Sequence, residues 1–236
     1  MQVSWTRCAG AVALGAMVCL GGLVQAQETK AESAHAHAHG HGHDHEHDHT
    51  AADGETRDPA AIYRGEFEDD WIEPRELSDW EGDWQSVYPL LVDGTLDPVM
   101  AHKAAHGEKT AAEYRAYYET GYETDVDRIE ITGDVVRFYA DDGFVEGHYA
   151  SDGYEILTYE SGNRGVRYIF AKAEGDADAP AFIQFSDHII APQKAGHYHL
   201  YWGDDRAALL EEVTNWPTYY PASFDGEQIV EEMTAH

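Results

Sequence analysis

Short runs of alternating apolar and polar residues fill much of the chain after residue 126. Six of them follow one another: "DRIEITG", "DVVRFYADD", "FVEGHYASDG", "YEILTYESGN", "RGVRYIFAKAEGD" and "AFIQFSDHII". A β-strand places alternate side chains on one face, so a two-residue period predicts strands with one face buried. Gly, Asp and Asn separate the runs at the spacing of an antiparallel meander.

Two further strands are predicted outside this meander, "GDWQSV" before it and "HYHLYWG" after it. Six to eight consecutive strands, with a helical stretch inserted after the first, predict a closed or nearly closed antiparallel barrel. The fold class predicted is therefore mainly β, with a few short helices.

The helical stretch is "LDPVMAHKAAHGEKTAAEYRAYYETGY", in which Thr110 and Glu113 form a candidate capping box. "DDRAALLEEV" and "DGEQIVEEM" predict two more short helices, the first with an Asp-rich first turn.

The first 26 residues have the pattern of a secretory signal peptide. A single Arg7 precedes an uncharged apolar run, and "VQA" at Val24–Ala26 is a candidate cleavage site. A membrane anchor is a poorer interpretation because the run is short, interrupted by Gly and followed by acidic residues. A lipoprotein leader ending at Cys19 is also weaker, since Val18 is bulky. Cys8 and Cys19 both lie in the leader, so the mature protein is expected to rely on an ordinary hydrophobic core.

Residues 27–60 contain almost no large apolar side chains and are predicted to be a disordered tail. Eight of its histidines occupy every second position: His35, His37, His39, His41, His43, His45, His47 and His49. Such a tail is expected to collect several metal ions weakly and to release them as pH falls, because protons compete for the imidazoles. The alternatives are a solubilising linker or an expression tag. The remaining residues, 61–236, suit one domain.

The chain contains 45 acidic and 15 basic side chains, a formal net charge of −30. Nucleic acid is a poor partner for such a surface, because phosphate binding requires a basic footprint. Cations, including metal ions, would be attracted. Acidity of this kind also keeps an exported protein soluble, and by itself it indicates no more than that.

A second histidine cluster lies in "SDHIIAPQKAGHYH". His197 and His199 are two residues apart on a predicted strand and share a face, while His188 ends the preceding strand. Across a short connection the three imidazoles could converge into a zinc-type site with one position open. Imidazole also suits copper, nickel, cobalt and cadmium. In the alternative interpretation, the pair faces solvent and His188 satisfies a turn.

Other candidates carry less weight. His102 and His106 are four residues apart on a predicted helix, but there is no HExxH motif, and a solvated helix face explains them better. His148 and His236 are single residues. The tryptophans and tyrosines are expected to fill the barrel and its ends: Trp80, Trp84, Tyr88, Trp202, Trp216, Tyr219 and Tyr220.

Long motifs from about Leu77 to the C-terminus resemble the ZinT (YodA) family of periplasmic zinc- and cadmium-binding proteins. They include "LSDWEGDWQSVYPLL", "DGYEILTYESGNRGVRYIF" and "IQFSDHIIAPQKAGHYH". The resemblance implies a lipocalin-like (calycin) barrel, with Gly82-x-Trp84 as the G-x-W feature of that superfamily. It also implies His188, His197 and His199 as metal ligands, with water, a small anion or a mobile group at the fourth position. It further implies a response to zinc scarcity and transfer of metal to the periplasmic component of a zinc ABC importer.

One departure from the resemblance concerns the cysteine pair that relatives often carry on the middle strands. The matching positions here are Gly147 and Lys172, so the barrel is expected to lack that disulfide and its contribution to stability.

The resulting hypothesis is a non-catalytic periplasmic zinc scavenger or chaperone, with the mature chain not inserted in a membrane. A zinc hydrolase or hydratase uses the same three-histidine pattern, but no general base is identifiable near these ligands. A lipocalin-type carrier of organic ligands would need an apolar interior, whereas the His197/His199 pair is expected to point inward.

Overall fold

The computed structural model describes residues 57–141, 143–159 and 162–235. Eight antiparallel strands close into a barrel in chain order, with β1 pairing with both β2 and β8. The strands are β1 Gly82–Ser86, β2 Arg128–Thr132, β3 Val135–Ala140, β4 Gly143–Thr158, β5 Arg164–Gly175, β6 Phe182–Ser186, β7 Tyr198–Gly203 and β8 Thr218–Pro221. The predicted antiparallel barrel is confirmed. The predicted signal peptide, the histidine-rich segment from His35 to His49, and His236 lie outside the described residues.

Two details of the strand prediction are wrong. "FVEGHYASDG" and "YEILTYESGN" form one strand, β4, in which a register shift between Ser151 and Tyr154 bends the chain without ending the pairing. Gly153, at a φ of +83°, lies inside this bulge. The closing strand β8 was not predicted, because four residues ending at Pro221 are too short to show a two-residue period.

Six helices accompany the barrel in the described residues: α1 Pro59–Tyr63, α2 Tyr88–Val92, α3 Asp97–His106, α4 Ala111–Tyr122, α5 Arg206–Glu211 and α6 Gly226–Thr234. Short 3₁₀ turns occupy Asp69–Trp71 and Leu77–Trp80. The predicted capping box is confirmed: the Thr110 hydroxyl accepts from the Glu113 amide, and the Glu113 carboxylate accepts from the Thr110 amide. Among the described residues, no helix has both the length and the apolarity needed to cross a membrane.

Alternate side chains from all eight strands form one buried cluster inside the barrel. Trp80 is fully buried there, and its ring lies 4.7 Å from that of Phe185 and 5.8 Å from that of Phe170. A second cluster joins α2, α3, α4 and α6 to the outer wall through Val87 and Tyr220. The barrel interior is thus filled by aromatic and aliphatic side chains, which argues against a carrier of organic ligands.

Gly147 and Lys172, the positions of the missing cysteine pair, are not cross-strand partners. Gly147 lies opposite Gly175, and Lys172 lies opposite Tyr149, on either side of a register shift. The Lys172 ammonium instead donates to the carbonyls of Asp176 and Ala179, at 2.8 and 2.5 Å. A lysine therefore ties the β5–β6 connection to its strand.

Candidate metal centre

Three histidines converge where β6 ends and β7 begins. His188 follows β6 by two residues, His197 directly precedes β7, and His199 lies within it, opposite Ser186 of β6. One ring nitrogen from each histidine lies within 4.8 Å of the others. The ring centroids form a nearly equilateral triangle, with sides of 5.7, 5.9 and 6.1 Å. In the described part of the chain this is the one group of three or more His, Cys, Asp or Glu residues with metal-binding spacing.

The cluster lies on the outer face of the barrel wall. Tyr198 and Leu200 belong to the cluster that fills the interior, so strand alternation directs His197 and His199 to the opposite face. The expectation that this pair points inward is wrong, because Tyr198 between the two histidines takes the interior position. His188 is exposed, and the other two histidines are half-buried.

His188 adopts a backbone conformation that is unusual for a residue with a side chain. Its φ is +62°, in the left-handed region. The carboxylate of Asp187, the preceding residue, accepts a hydrogen bond from the Ile189 amide at 3.2 Å. This hydrogen bond closes a local turn at the end of β6. Non-glycine residues in this region occur where surrounding contacts enforce them, often at functional sites.

His199 is oriented by Thr218 of β8. Its Nδ1 lies 2.8 Å from the Thr218 hydroxyl, and that hydroxyl donates its proton to the Trp216 carbonyl at 2.9 Å. Because the hydroxyl proton is donated to that carbonyl, His199 Nδ1 is the donor to the hydroxyl oxygen. His199 Nε2 is therefore the nitrogen with the free lone pair. Second-shell hydrogen bonds of this kind fix the tautomer of metal-binding histidines.

The pKa of His199 lies well below its usual value of 6.5, first because the side chain is desolvated and then because His188, His197 and Arg167 are nearby. The imidazole is therefore neutral at pH 7. Metal binding requires that form, because a protonated nitrogen has no lone pair to offer.

Two tyrosines stack on the other histidines. Tyr63, at the end of α1, lies over His188 with ring centroids 4.2 Å apart. Tyr220 of β8 lies 5.1 Å from His197, with an interplanar angle of 9°. Tyr220, one of the aromatic residues expected to fill the barrel or its ends, belongs to the second cluster and packs against the helices outside the barrel. No sequence signal pointed to Tyr63, Thr218 or Tyr220, because they come from elements distant along the chain.

The remaining histidine candidates lie apart from this group. His102 and His106 are neighbours on α3 with ring centroids 4.5 Å apart, and Nδ1 of His106 is bonded to the His102 carbonyl at 2.9 Å. Among the described residues, neither belongs to a group of three or more potential metal ligands. His148 pairs with Asp134 at 3.2 Å on the surface.

Three imidazoles at this separation offer three nitrogen donors to one tetrahedral ion and leave a fourth position free. A closed antiparallel barrel with such a site on its wall defines a metal-binding protein of the lipocalin-like class. Residues 58–236 match the family described as ZinT (YodA), periplasmic lipocalin-like zinc-recruitment. The chain belongs to this family, and residues 58–236 are a zinc-binding domain.

Relatives and solved structures agree with that assignment. The chain is 61% identical over 176 residues to the probable metal-binding protein YrpE of Bacillus subtilis, covering 74% of this chain and 70% of YrpE. It is 49% identical over 180 residues to the zinc-binding protein AdcA of Streptococcus pyogenes, covering 74% of this chain but only 35% of AdcA.

The Zn(II)-bound ZinT-like domain of Streptococcus pneumoniae AdcA superposes with a TM-score of 0.71 at 47% identity, covering 73% of this chain and 97% of that domain. Zn(II)-bound AdcA from the same organism superposes with a TM-score of 0.72 at 46% identity, covering 78% of this chain and 40% of AdcA. The chain thus corresponds to the ZinT-like portion of these longer proteins.

Proposed function

We propose that His188, His197 and His199 bind zinc and that the protein is an exported, non-catalytic zinc scavenger or chaperone. The observation that supports this most directly is the convergence of three imidazole nitrogens within 4.8 Å. The signal peptide would deliver the mature chain to the periplasm. There it would collect zinc during scarcity and pass it to the zinc-binding component of a zinc ABC importer.

The open fourth position and the exposure of His188 favour transfer by ligand exchange. An incoming donor can bind the ion at the free position before a protein imidazole leaves, so the ion is never without ligands. The same donors accept cadmium, cobalt, nickel and copper, so protection against cadmium is compatible with this site.

The histidine-rich tail is proposed to collect metal for this site. Its last alternating histidine, His49, precedes Tyr63 by only 14 residues, and Tyr63 stacks on His188. An extended chain of that length spans at most roughly 50 Å. The segment from α1 to Phe67 is hydrogen-bonded to β5, because the Arg164 side chain of β5 donates to the Phe67 carbonyl at 2.7 Å. Tethered imidazoles would therefore be present at high effective concentration at the open position.

Zinc calorimetry on three proteins tests this division of roles. They are the mature chain, a chain lacking residues 27–56 but keeping Asp58 as the cap of α1, and the His188→Ala/His197→Ala/His199→Ala variant. We expect one tight site lost only in the triple variant and several weak sites lost only with the tail. Loss of the tight site on tail deletion would contradict the assignment.

Hydrolysis or hydration by zinc is the alternative, and no observation favours it. The ligand cluster contains three histidines and no carboxylate that could serve as a general base. The zinc-loaded protein is expected to show no ester hydrolysis or CO₂ hydration above free zinc. Turnover that His199→Ala abolishes would contradict the binding-only proposal.

Transfer is tested by mixing the zinc-loaded protein with the metal-free importer component and separating the two. Zinc should move faster than it dissociates into a chelator, because exchange passes through the open position. Transfer at the rate of spontaneous dissociation would leave a scavenging role and contradict the chaperone role.

A further inference from the structure

Arg75 is a buried cation whose hydrogen bonds converge on the segment that carries His188. The residue is only 2% exposed. Its Nη1 donates to both carboxylate oxygens of Asp187, at 2.7 and 2.9 Å, and lies 3.4 Å from the Ile189 carbonyl. Its Nη2 donates to the Gln193 carbonyl at 2.7 Å. One guanidinium therefore holds both neighbours of His188 and the middle of the loop that leads to His197.

The segment around Arg75 reinforces this hold. Asp79 accepts from Arg75 Nε at 2.9 Å, and its carboxylate also accepts from the Gln193 amide at 3.2 Å. The Asp79 carbonyl accepts from the Ala195 amide, and the Glu73 amide donates to the Ile190 carbonyl, both at 2.8 Å. The guanidinium lies over the Trp80 ring, 4.0 Å from its centroid. Residues 73–79 are thus a fixed template for residues 187–195.

His188 depends on this template more than the other two histidines do. His197 and His199 lie at or within a hydrogen-bonded strand, whereas His188 lies beyond the end of β6 in a left-handed conformation. Its position is set by Asp187 before it and Ile189 after it, and Arg75 contacts both. A shift of this turn by about 1 Å would take one of three donors away from the ion, and sites loosened by that amount lose function.

We propose that Arg75 is a positioning residue for zinc: it holds the Asp187–Ile189 turn so that the His188 imidazole completes the triangle with His197 and His199. Arg75 does not touch the ion itself. The proposal rests on the function proposed above, and it adds a determinant of affinity that lies outside the ligand set.

A charge-neutral double variant separates positioning from stability. Arg75→Met alone leaves the Asp187 carboxylate buried without its partner and is expected to lower stability. Arg75→Met/Asp187→Asn removes both charges. In this variant the side-chain oxygen of the asparagine can still accept a hydrogen bond from the Ile189 backbone amide. We expect the double variant to recover much of the lost Tm and yet to bind zinc about 10- to 100-fold more weakly than the wild type, the range typical of second-shell losses.

Two readouts besides affinity report on the turn. Hydrogen–deuterium exchange of the metal-free double variant should rise in residues 187–195 and stay unchanged in β2 and β3. The visible spectrum of the Co(II)-loaded protein should move away from that of the wild-type tetrahedral site. Arg75→Lys should fall between wild type and Arg75→Met in both measurements, because one ammonium reaches fewer of these acceptors than a guanidinium does.

Val136→Ala, buried inside the barrel in β3, is the control for lost stability. It should lower Tm while leaving zinc affinity and the Co(II) spectrum at wild-type values. Wild-type zinc affinity in the double variant, or equal weakening in Val136→Ala, would overturn the positioning role. If the wild type itself does not bind zinc through His188, His197 and His199, the proposed function is wrong. That result is distinguishable from the two results that would overturn only the role of Arg75.

Discussion

Thr218 acts on the metal centre through a single hydroxyl group. That hydroxyl accepts from His199 Nδ1 and donates to the Trp216 carbonyl, so the imidazole proton stays on Nδ1 and Nε2 keeps its lone pair for the proposed zinc ion. We expect Thr218→Val, which preserves the shape of the buried side chain, to weaken zinc binding about 10-fold. Competition with a chelator measures the change.

Thr218→Ser is the matched control for this prediction, because it keeps the hydroxyl and removes only the methyl group. It should bind zinc within a few-fold of the wild type. Equal affinity in Thr218→Val and the wild type would show that the tautomer of His199 is set without Thr218.

The lowered pKa of His199 makes the stability of the metal-free protein depend on pH. In the unfolded chain this imidazole takes up a proton near pH 6.5, whereas in the fold burial keeps it neutral to lower pH. The contribution of His199 to the free energy of unfolding is therefore fully present above pH 6.5. It is lost as the pH falls towards the pKa of His199 in the folded protein. Below pH 6.5 the free energy of unfolding should fall by up to about 1.4 kcal/mol per pH unit from this group.

Urea denaturation of the metal-free wild type and of His199→Gln between pH 8 and pH 5.5 isolates that contribution. Titration of the carboxylates affects both proteins and cancels in the difference. The wild type should lose stability more steeply than the variant below pH 6.5. Parallel curves would mean that His199 titrates normally in the fold.

At the scale of elements, the hairpin β5–β6 shows how the barrel is secured without a disulfide. Lys172 donates to the Asp176 and Ala179 carbonyls that close the connection. Lys172→Met should lower the free energy of unfolding by about 1 kcal/mol, because it removes hydrogen bonds from a charged donor to a partly buried turn. Guanidinium denaturation measures this loss.

Lys109→Met serves as the comparison for that variant, since Lys109 lies on the exposed connection before α4. It should change stability by only a few tenths of a kcal/mol. Zinc affinity should be unchanged in both, because neither lysine touches the 187–199 segment. Equal stability of the two variants would show that Lys172 does not secure the hairpin.

Strands and the convergence of the candidate ligands were predictable from the sequence where the information is local. The two-residue period identifies most strands, and within a strand the His197-x-His199 spacing places both imidazoles on one face. The restraints on the site were not predictable, because they act between distant parts of the chain. Arg75 is 112 residues from Asp187, and Thr218 reaches His199 through pairing of β7 with β8, a strand too short to be predicted. The prediction that the His197/His199 pair points inward was wrong because the direction depends on which face of β7 Tyr198 occupies, and packing between distant parts of the chain decides that.

At the scale of the whole molecule, zinc should stabilise the folded domain by mass action. The unfolded chain does not hold the three imidazoles in a triangle, so zinc binds the folded state preferentially. At a free zinc concentration about 100-fold above Kd, the free energy of unfolding should rise by about 2.7 kcal/mol. Thermal denaturation of the chain lacking residues 27–56, with and without zinc, measures this gain without the tail's contribution.

The His188→Ala/His197→Ala/His199→Ala variant should show no such gain. A zinc-dependent rise in its Tm would place the stabilising ion elsewhere on the domain, with the His102 and His106 pair on α3 as the first place to look.

The location of the three histidines on the outside of the wall bears on how quickly cargo can be exchanged. A ligand bound inside a barrel leaves only when strands or covering loops move apart, so its residence time depends on the rigidity of the barrel wall. Here Tyr198 packs into the filled interior, while His197 and His199 on either side of it face outward. In the proposed transfer of zinc, loading and unloading would therefore require no opening of the wall, and a mutation that stiffens the interior should raise the melting temperature without slowing transfer.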